Sequence, residues 1–157
     1  MSLHCSIENH KNVFTNTVKT NRFRRFLKCD EDRCNLDVID IHTSNESDTR
    51  SIAQLLAPWL RKSDVVLLTG DLAAGKTTFI RELSQSVGVT STVSSPTYTI
   101  ANMYDASDFQ IIHIDAYRLD NIQEFHNLGL EEYFDDSVTL VEWGNLIEES
   151  FSEFLSM

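Results

Sequence analysis

The run Gly70-Asp71-Leu72-Ala73-Ala74-Gly75-Lys76-Thr77 fits the pattern G-x-x-x-x-G-K-[ST] without a gap. No other feature constrains the chain as much. A loop of this shape turns successive backbone N–H groups inward and makes an anion-binding nest at a helix N-terminus. Lys76 then reaches the β- and γ-phosphates of a nucleotide, and Thr77 offers a hydroxyl to Mg²⁺. The pattern works only between a buried strand and a helix, and both flanks comply. Val65-Val66-Leu67-Leu68-Thr69 is a short apolar, β-branched run suited to a parallel strand. After the loop, Phe79, Ile80, Leu83 and Val87 share one helical face, and Gly88 marks the stop.

The other segments extend this unit into an α/β fold. Leu36 to Ile41 reads as a first strand. Ser44 to Asp48 supplies capping residues for a helix whose Ile52, Leu55, Leu56 and Trp59 repeat at helical spacing, and Pro58 shortens or bends its end. Ser94-Ser95-Pro96-Thr97-Tyr98 is a turn leading into an extended stretch that ends near Tyr104. Two apolar runs end in acids: Ile111-Ile112-His113-Ile114-Asp115 and Val138-Thr139-Leu140-Val141-Glu142. Between them Ile122, Phe125 and Leu128 mark a short helix closed by Gly129. Strands alternating with helices predict a three-layer α/β/α domain with a mainly parallel sheet, covered on both faces. This domain takes residues 36–157. Residues 1–35 lack a sustained period and read as a mobile extension. Their basic, acid-poor character fits an organelle-targeting peptide and fits equally a start codon assigned too early.

Charge narrows the functional classes. The net charge is −11, although residues 1–28 carry Lys11, Lys19, Arg22, Arg24, Arg25 and Lys28 against Glu8 alone. The body of the chain is therefore strongly acidic, which disfavours direct grip on a nucleic-acid backbone. Any role in a nucleic-acid pathway is expected to run through a protein partner. No apolar stretch reaches membrane-spanning length, so the expected compartment is the cytoplasm, with no membrane partner. Cys5, Cys29 and Cys34 are odd in number and lack a second zinc-binding pair, which favours free thiols.

Ligands of parallel sheets gather at the carboxyl ends of the strands. Asp115 and Glu142 each end a strand expected to neighbour the phosphate-loop strand, where Mg²⁺ needs hard oxygen ligands. Carboxylates placed there without a cation repel the nucleotide, so charge balance implies the metal. Thr97 is open to two readings, a switch touching the γ-phosphate or part of a plain proline turn. His113 alternates with Asp115 and either orients it or packs in the core, the latter favoured. Trp143 reads as core or rim packing in preference to a stacking platform. After Lys76 the only cations are Arg81 and Arg118. Kinases of small molecules need several arginines to clamp two sets of phosphates. An N-K-x-D stretch, sought for guanine specificity, does not occur. The residues favour an ATP hydrolase, slow alone and completed by a partner. The alternatives are a small-molecule phosphotransferase and a non-catalytic nucleotide-dependent binding module.

Gly70-Asp71-Leu72, Ala74-Gly75-Lys76-Thr77-Thr78, Ser95-Pro96-Thr97-Tyr98, His113-x-Asp115-x-Tyr117-Arg118 and Val141-Glu142-Trp143 together resemble the ATPase of tRNA threonylcarbamoyladenosine biosynthesis, the TsaE (YjeE) family. The resemblance covers roughly residues 38–144. It implies a P-loop NTPase-like domain that binds ATP and Mg²⁺ and associates with the TsaD–TsaB pair. There, ATP hydrolysis supports repeated transfer of threonylcarbamoyl to adenosine 37 of tRNAs, which the protein meets only through the complex. By the same likeness Leu72, Ala73, Ala74, Gly75, Lys76 and Thr77 line the ATP phosphates. Thr77 and Glu142 bind Mg²⁺, Asp115 is the acid needed for hydrolysis, and Glu46 contacts the nucleotide near its base. Lys76, Asp115 and Glu142 form the catalytic set.

Three departures accompany the likeness. Ala73 stands where the family usually has glycine, and a positive φ there would strain the loop by about 1 kcal/mol. The chain ends soon after Trp143, where relatives usually continue into further strands, which fits either an open sheet edge or a truncated product. Residues 1–35 have no counterpart in the family pattern.

Overall fold

Why the phosphate-loop strand lies deep in the sheet follows from its composition: Val65, Val66, Leu67 and Leu68 are all buried, so both faces must be covered. The computed structural model describes residues 4–5 and 41–157. In chain order the elements are β1 (His4–Cys5), β2 (Ile41–His42), α1 (Glu46–Leu56), β3 (Val65–Leu68), α2 (Lys76–Ser86), β4 (Ala101–Asp105), β5 (Gln110–Asp115), α3 (Ile122–His126), β6 (Ser137–Glu142) and β7 (Leu155–Ser156). β1 and β2 form a small antiparallel pair. The main sheet has the order β4-β5-β6-β3-β7. Its β5–β6, β6–β3 and β3–β7 pairs are parallel, and only β4 runs antiparallel, at the edge.

Side chains of a strand alternate between faces, and in-register neighbours share a face. The register Asp115↔Glu142↔Leu68 therefore puts both acids on one side. That side packs against α1 and α2 through Ala53, Leu56, Val66, Leu68, Phe79, Ile80, Leu83 and Leu140. The opposite face gathers Val65, Leu67, Ile112, Ile114, Phe125, Val141 and Ile147 beneath α3 and short 3₁₀ turns. The three layers expected from the sequence are present, the second helical layer being mostly turns.

Local signals behave as their chemistry requires. Asn45 caps α1 by accepting from the Asp48 N–H at 3.0 Å. α1 stops at Leu56, and Ala57–Trp59, holding Pro58, tightens into a 3₁₀ turn. Gly88 and Gly129 both take left-handed φ, +99° and +66°, where the sequence placed helix stops. Two expectations need correction. β6 alone of the two acid-bearing strands adjoins β3; β5 lies one strand further out. The open edge allowed for near the C-terminus does not fall at β3, which β7 covers, with Thr69 N–H donating to Met157 O at 2.7 Å and Met157 N–H to Leu67 O at 2.8 Å. The strand expected at Leu36–Ile41 lies outside the described residues except for Ile41, as do the side chains of all three cysteines. Among the described residues no helix is long and apolar enough to cross a membrane.

Candidate functional site

The loop between β3 and α2 is built on three unusual backbone angles: φ is +150° at Gly70, +62° at Ala73 and +93° at Gly75. Glycine reaches such angles freely, whereas alanine at Ala73 carries left-handed strain. α2 opens at Lys76 with no side-chain cap and no acid in its first turn. Its leading amides thus lack intrahelical acceptors, and the helix's own first turn carries no acid to meet the positive end. That is the condition an anion such as a triphosphate fits. Leu72 and Ala73 are exposed at the loop's crest, and Gly75 is buried at its base.

Lys76 is 5% exposed, its ammonium folded onto its own loop. Nζ donates to the carbonyls of Gly70 (2.6 Å) and Asp71 (2.8 Å) and lies 4.1 Å from the centroid of the Trp143 ring. Burial pulls the Lys76 pKa below its ordinary value, opposed by the charges of Glu142, Asp115 and Asp71. A phosphate group entering the loop gives this half-desolvated cation a better partner than two carbonyl oxygens.

Thr77, one residue on, donates its hydroxyl proton to Glu142 Oε1 at 2.7 Å. The same oxygen lies 2.9 Å from His113 Nε2. Glu142 is 5% exposed, and His113 is fully buried. Across the sheet Asp115 stands level with Glu142. Asp115 Oδ1 accepts from the Tyr117 N–H and Oδ2 from the Thr97 hydroxyl, each at 3.1 Å. Ser95 Oγ lies 2.7 Å from Thr97 Oγ1, while Arg118 Nη1 donates to Thr97 O at 3.1 Å. The two acids are therefore held by different elements, Glu142 by α2 and β5, Asp115 by the loop before β4 and the turn that follows β5.

A threonine hydroxyl and two carboxylates offer the hard oxygen donors that Mg²⁺ prefers. Among the described residues no group of three or more His, Cys, Asp and Glu side chains could hold a metal by itself. This donor set suits an ion that keeps several waters and shares the phosphates of its substrate.

Lys76, Thr77, Asp115 and Glu142 thus converge at one end of the sheet, at the carboxyl ends of β5 and β6 and the start of α2. Glu46 is different. It opens α1, is 72% exposed at its side chain, and lies 3.9 Å from Arg81 of α2. Thr97 faces Asp115, which joins the turn reading to the site. His113 contacts Glu142 rather than the Asp115 it was considered to orient. Trp143 packs, as expected, but its packing partner is the site lysine. Its left-handed φ of +60° swings the ring back over the loop, and Tyr117 packs against it in a tilted arrangement, centroids 5.0 Å apart. Only the glycine after it hinted at that turn: a Cβ on Gly144 would lie 2.5 Å from Leu67 Cβ.

Comparison with known proteins gives concordant results. The family described as "Threonylcarbamoyl adenosine biosynthesis protein TsaE" matches residues 43–156. The chain is 43% identical over 112 residues to the tRNA threonylcarbamoyladenosine biosynthesis protein TsaE of Bacillus subtilis, covering 71% of this chain and 70% of that protein. The protein of the same description from Rickettsia conorii is 43% identical over 110 residues, covering 69% and 63%. The crystal structure of YdiB from Bacillus subtilis superposes with a TM-score of 0.58 at 40% identity, over 69% of this chain and 66% of that one. The chain spans about two thirds of the length of these proteins.

Proposed function

This chain belongs to the TsaE family of threonylcarbamoyl adenosine biosynthesis proteins, with its P-loop NTPase-like fold, and on that premise we propose that it is a Mg²⁺-dependent ATPase of the cytoplasm, serving tRNA threonylcarbamoyladenosine formation alongside TsaD and TsaB. The observation that carries the reading is the short Thr77–Glu142 contact at the mouth of an uncapped phosphate loop.

The loop amides from Leu72 to Thr77 bind the phosphates, and Lys76 exchanges its carbonyl partners for the β- and γ-phosphate oxygens. Thr77 and Glu142 would hold Mg²⁺, which when bound would supply charge neutralisation to the terminal phosphate. Asp115 accepts a hydrogen bond from the attacking water and so aims it; Thr97 keeps the acid turned toward the site. The O–P bond to water forms as the bond to ADP breaks, giving ADP and hydrogen phosphate, with the remaining proton of the water released to solvent. Glu46 contacts the nucleoside end.

The proposal also accounts for a partner. Of the two cations beyond Lys76, Arg81 is engaged by Glu46 and Glu82, and Arg118 by the Thr97 carbonyl and the Tyr98 ring. Neither is uncommitted, so a further positive group is expected from TsaD or TsaB, and hydrolysis alone is slow. The tRNA is met only through that complex.

Phosphate release tests the reading. Turnover is expected to be low for the chain alone, to rise with TsaD and TsaB, and to need Mg²⁺. Glu142→Ala is expected to remove the Mg²⁺ dependence. Cells lacking the gene should lose the modified nucleoside from tRNA and regain it with the wild type but not with Glu142→Ala. Normal Mg²⁺-dependent turnover in that variant excludes these roles.

A further inference from the structure

His113 is a costly residue for its position. It sits at the centre of β5, fully buried, on the face that carries Ile111 and Asp115. Its Nδ1 is buried without a hydrogen-bond partner. An unpaired buried polar atom costs about 1–3 kcal/mol, so an imidazole kept only to fill space gains nothing over an apolar side chain. Its single polar contact is Nε2 to Glu142 Oε1 at 2.9 Å. We propose that His113 is a positioning residue: it donates Nε2–H to Glu142 and fixes the rotamer in which that carboxylate meets Mg²⁺. The inference rests on the ATPase reading above and goes beyond it.

The geometry supplies the reasons. A carboxylate only accepts, so the contact requires a proton on Nε2, while Nδ1 has no acceptor to take a proton of its own. Thr77 and His113 approach the same oxygen, at 2.7 and 2.9 Å. Both contacts fall on Oε1, which frees Oε2 for other work. Glutamate has one more rotatable bond than aspartate, and a single donor from Thr77 would have to hold it alone. Thr77 is itself in the site, and its hydroxyl must serve the cation. The contact from β5 is independent of that exchange. It comes from a rigid strand paired in register beside β6, so the carboxylate is aimed before any ligand arrives.

The test is calorimetric titration of the full chain with ADP, in excess Mg²⁺ and in EDTA, for the wild type, His113→Met and His113→Gln. Methionine keeps the bulk and lacks the donor; glutamine restores an N–H near the Nε2 position. If the proposal holds, His113→Met cuts the Mg²⁺-dependent gain in ADP affinity on the order of 10–100-fold while the EDTA affinity stays within about twofold, and His113→Gln recovers most of the gain. An undiminished gain in His113→Met overturns the proposal. So does an equal loss in both variants with and without Mg²⁺, which marks a purely structural residue. A wild type with no Mg²⁺-dependent gain sinks the ATPase reading itself, and this inference with it. Should His113→Met fail to fold by circular dichroism, nitrogen-15 spectra of the wild-type imidazole decide. The Nε2–H tautomer is required, with its resonance moving as Mg²⁺ is added to the ADP complex, and an Nδ1–H tautomer overturns the assignment.

Discussion

The two faces of the sheet use the same strands for opposite ends. On the α1/α2 face the apolar rows of β5 and β6 give way to His113, Asp115 and Glu142 as they approach the loop. On the other face Ile112, Ile114 and Val141 stay apolar to the end and meet a ring cluster, with Phe125 lying 6.3 Å from Phe134 and 5.8 Å from Phe151. Alternation along a strand makes this possible: Val141 and Glu142 are adjacent in sequence yet belong to different layers. At the loop end of the strands chemistry and packing are separated by parity, although further back both faces are core. Substitutions at the loop end of the first face should therefore change binding and turnover, and those on the other face should change stability.

The separation can be broken most directly at Lys76. Lys76→Ala is expected to lower ATP turnover on the order of 10³-fold, to background, by removing the charge that meets the transferring group. Its melting temperature should change far less than turnover, because the cost of desolvating the ammonium offsets its contacts with the two carbonyls and the Trp143 ring. A large loss of stability with turnover intact would invert the division proposed here. Phosphate release and thermal melts measure both halves.

Phe125→Ala is the complementary experiment. The side chain is fully buried, and its removal leaves a cavity costing roughly 3–5 kcal/mol. Denaturant unfolding should record that loss, while ADP affinity below the melting range stays near that of the wild type. A tenfold weaker affinity in the folded variant would show the faces to be coupled.

A smaller effect sharpens the boundary at the loop. Ala73 holds φ at +62°, a left-handed angle that costs a residue bearing a Cβ roughly 1–2 kcal/mol. The loop is exposed there and can relax when empty, so the strain is expected to surface on binding. Ala73→Gly should tighten ADP severalfold by calorimetry, about 1 kcal/mol, with little change in global stability. Equal affinity would place the strain outside the bound state.

What could be read in advance divides along similar lines. Elements set by local signals were legible: a cap within Ser44–Asp48, which proved to be Asn45, the Gly88 and Gly129 stops, the buried strand before the loop. The strand order was not, because no local pattern states which strands are neighbours; β5 proved to be one place removed from β3. The same gap hid the His113–Glu142 contact, which needs the register of two strands separated by α3. Lys76 and Glu142 could be named from motif chemistry. The seat of Lys76 on Trp143 could not, since a single left-handed residue leaves no periodicity. Residue-by-residue resemblance brought Glu46 in, and its surroundings are an arginine and solvent.

The least effect is expected on the outer layer of the chemical face, where α1 and α2 meet. Arg50 Nε donates to Glu82 Oε2 at 2.6 Å, and Glu82 is 4% exposed. The Arg50 hydrogen bond, assisted by the Arg50 and Arg81 charges, holds the Glu82 carboxyl below its ordinary 4.5 despite its burial. A carboxyl with a depressed folded pKa binds its proton more weakly folded than unfolded. Its contribution is thus fully present above the unfolded value and is lost as pH falls through the folded one. Arg50 is largely exposed and water screens the pair, which keeps the contribution small. Melts of wild type and Glu82→Gln should therefore differ by a constant amount at neutral pH and converge in acid, below about pH 4.5. ADP affinity at neutral pH should change little, since Glu82 reaches Glu46 only through Arg81 and lies between the helices. A gap that stays flat into acid would mean that shape, not charge, joins α1 to α2. A change in ADP affinity would instead extend the chemical region outward from the sheet into its helical cover.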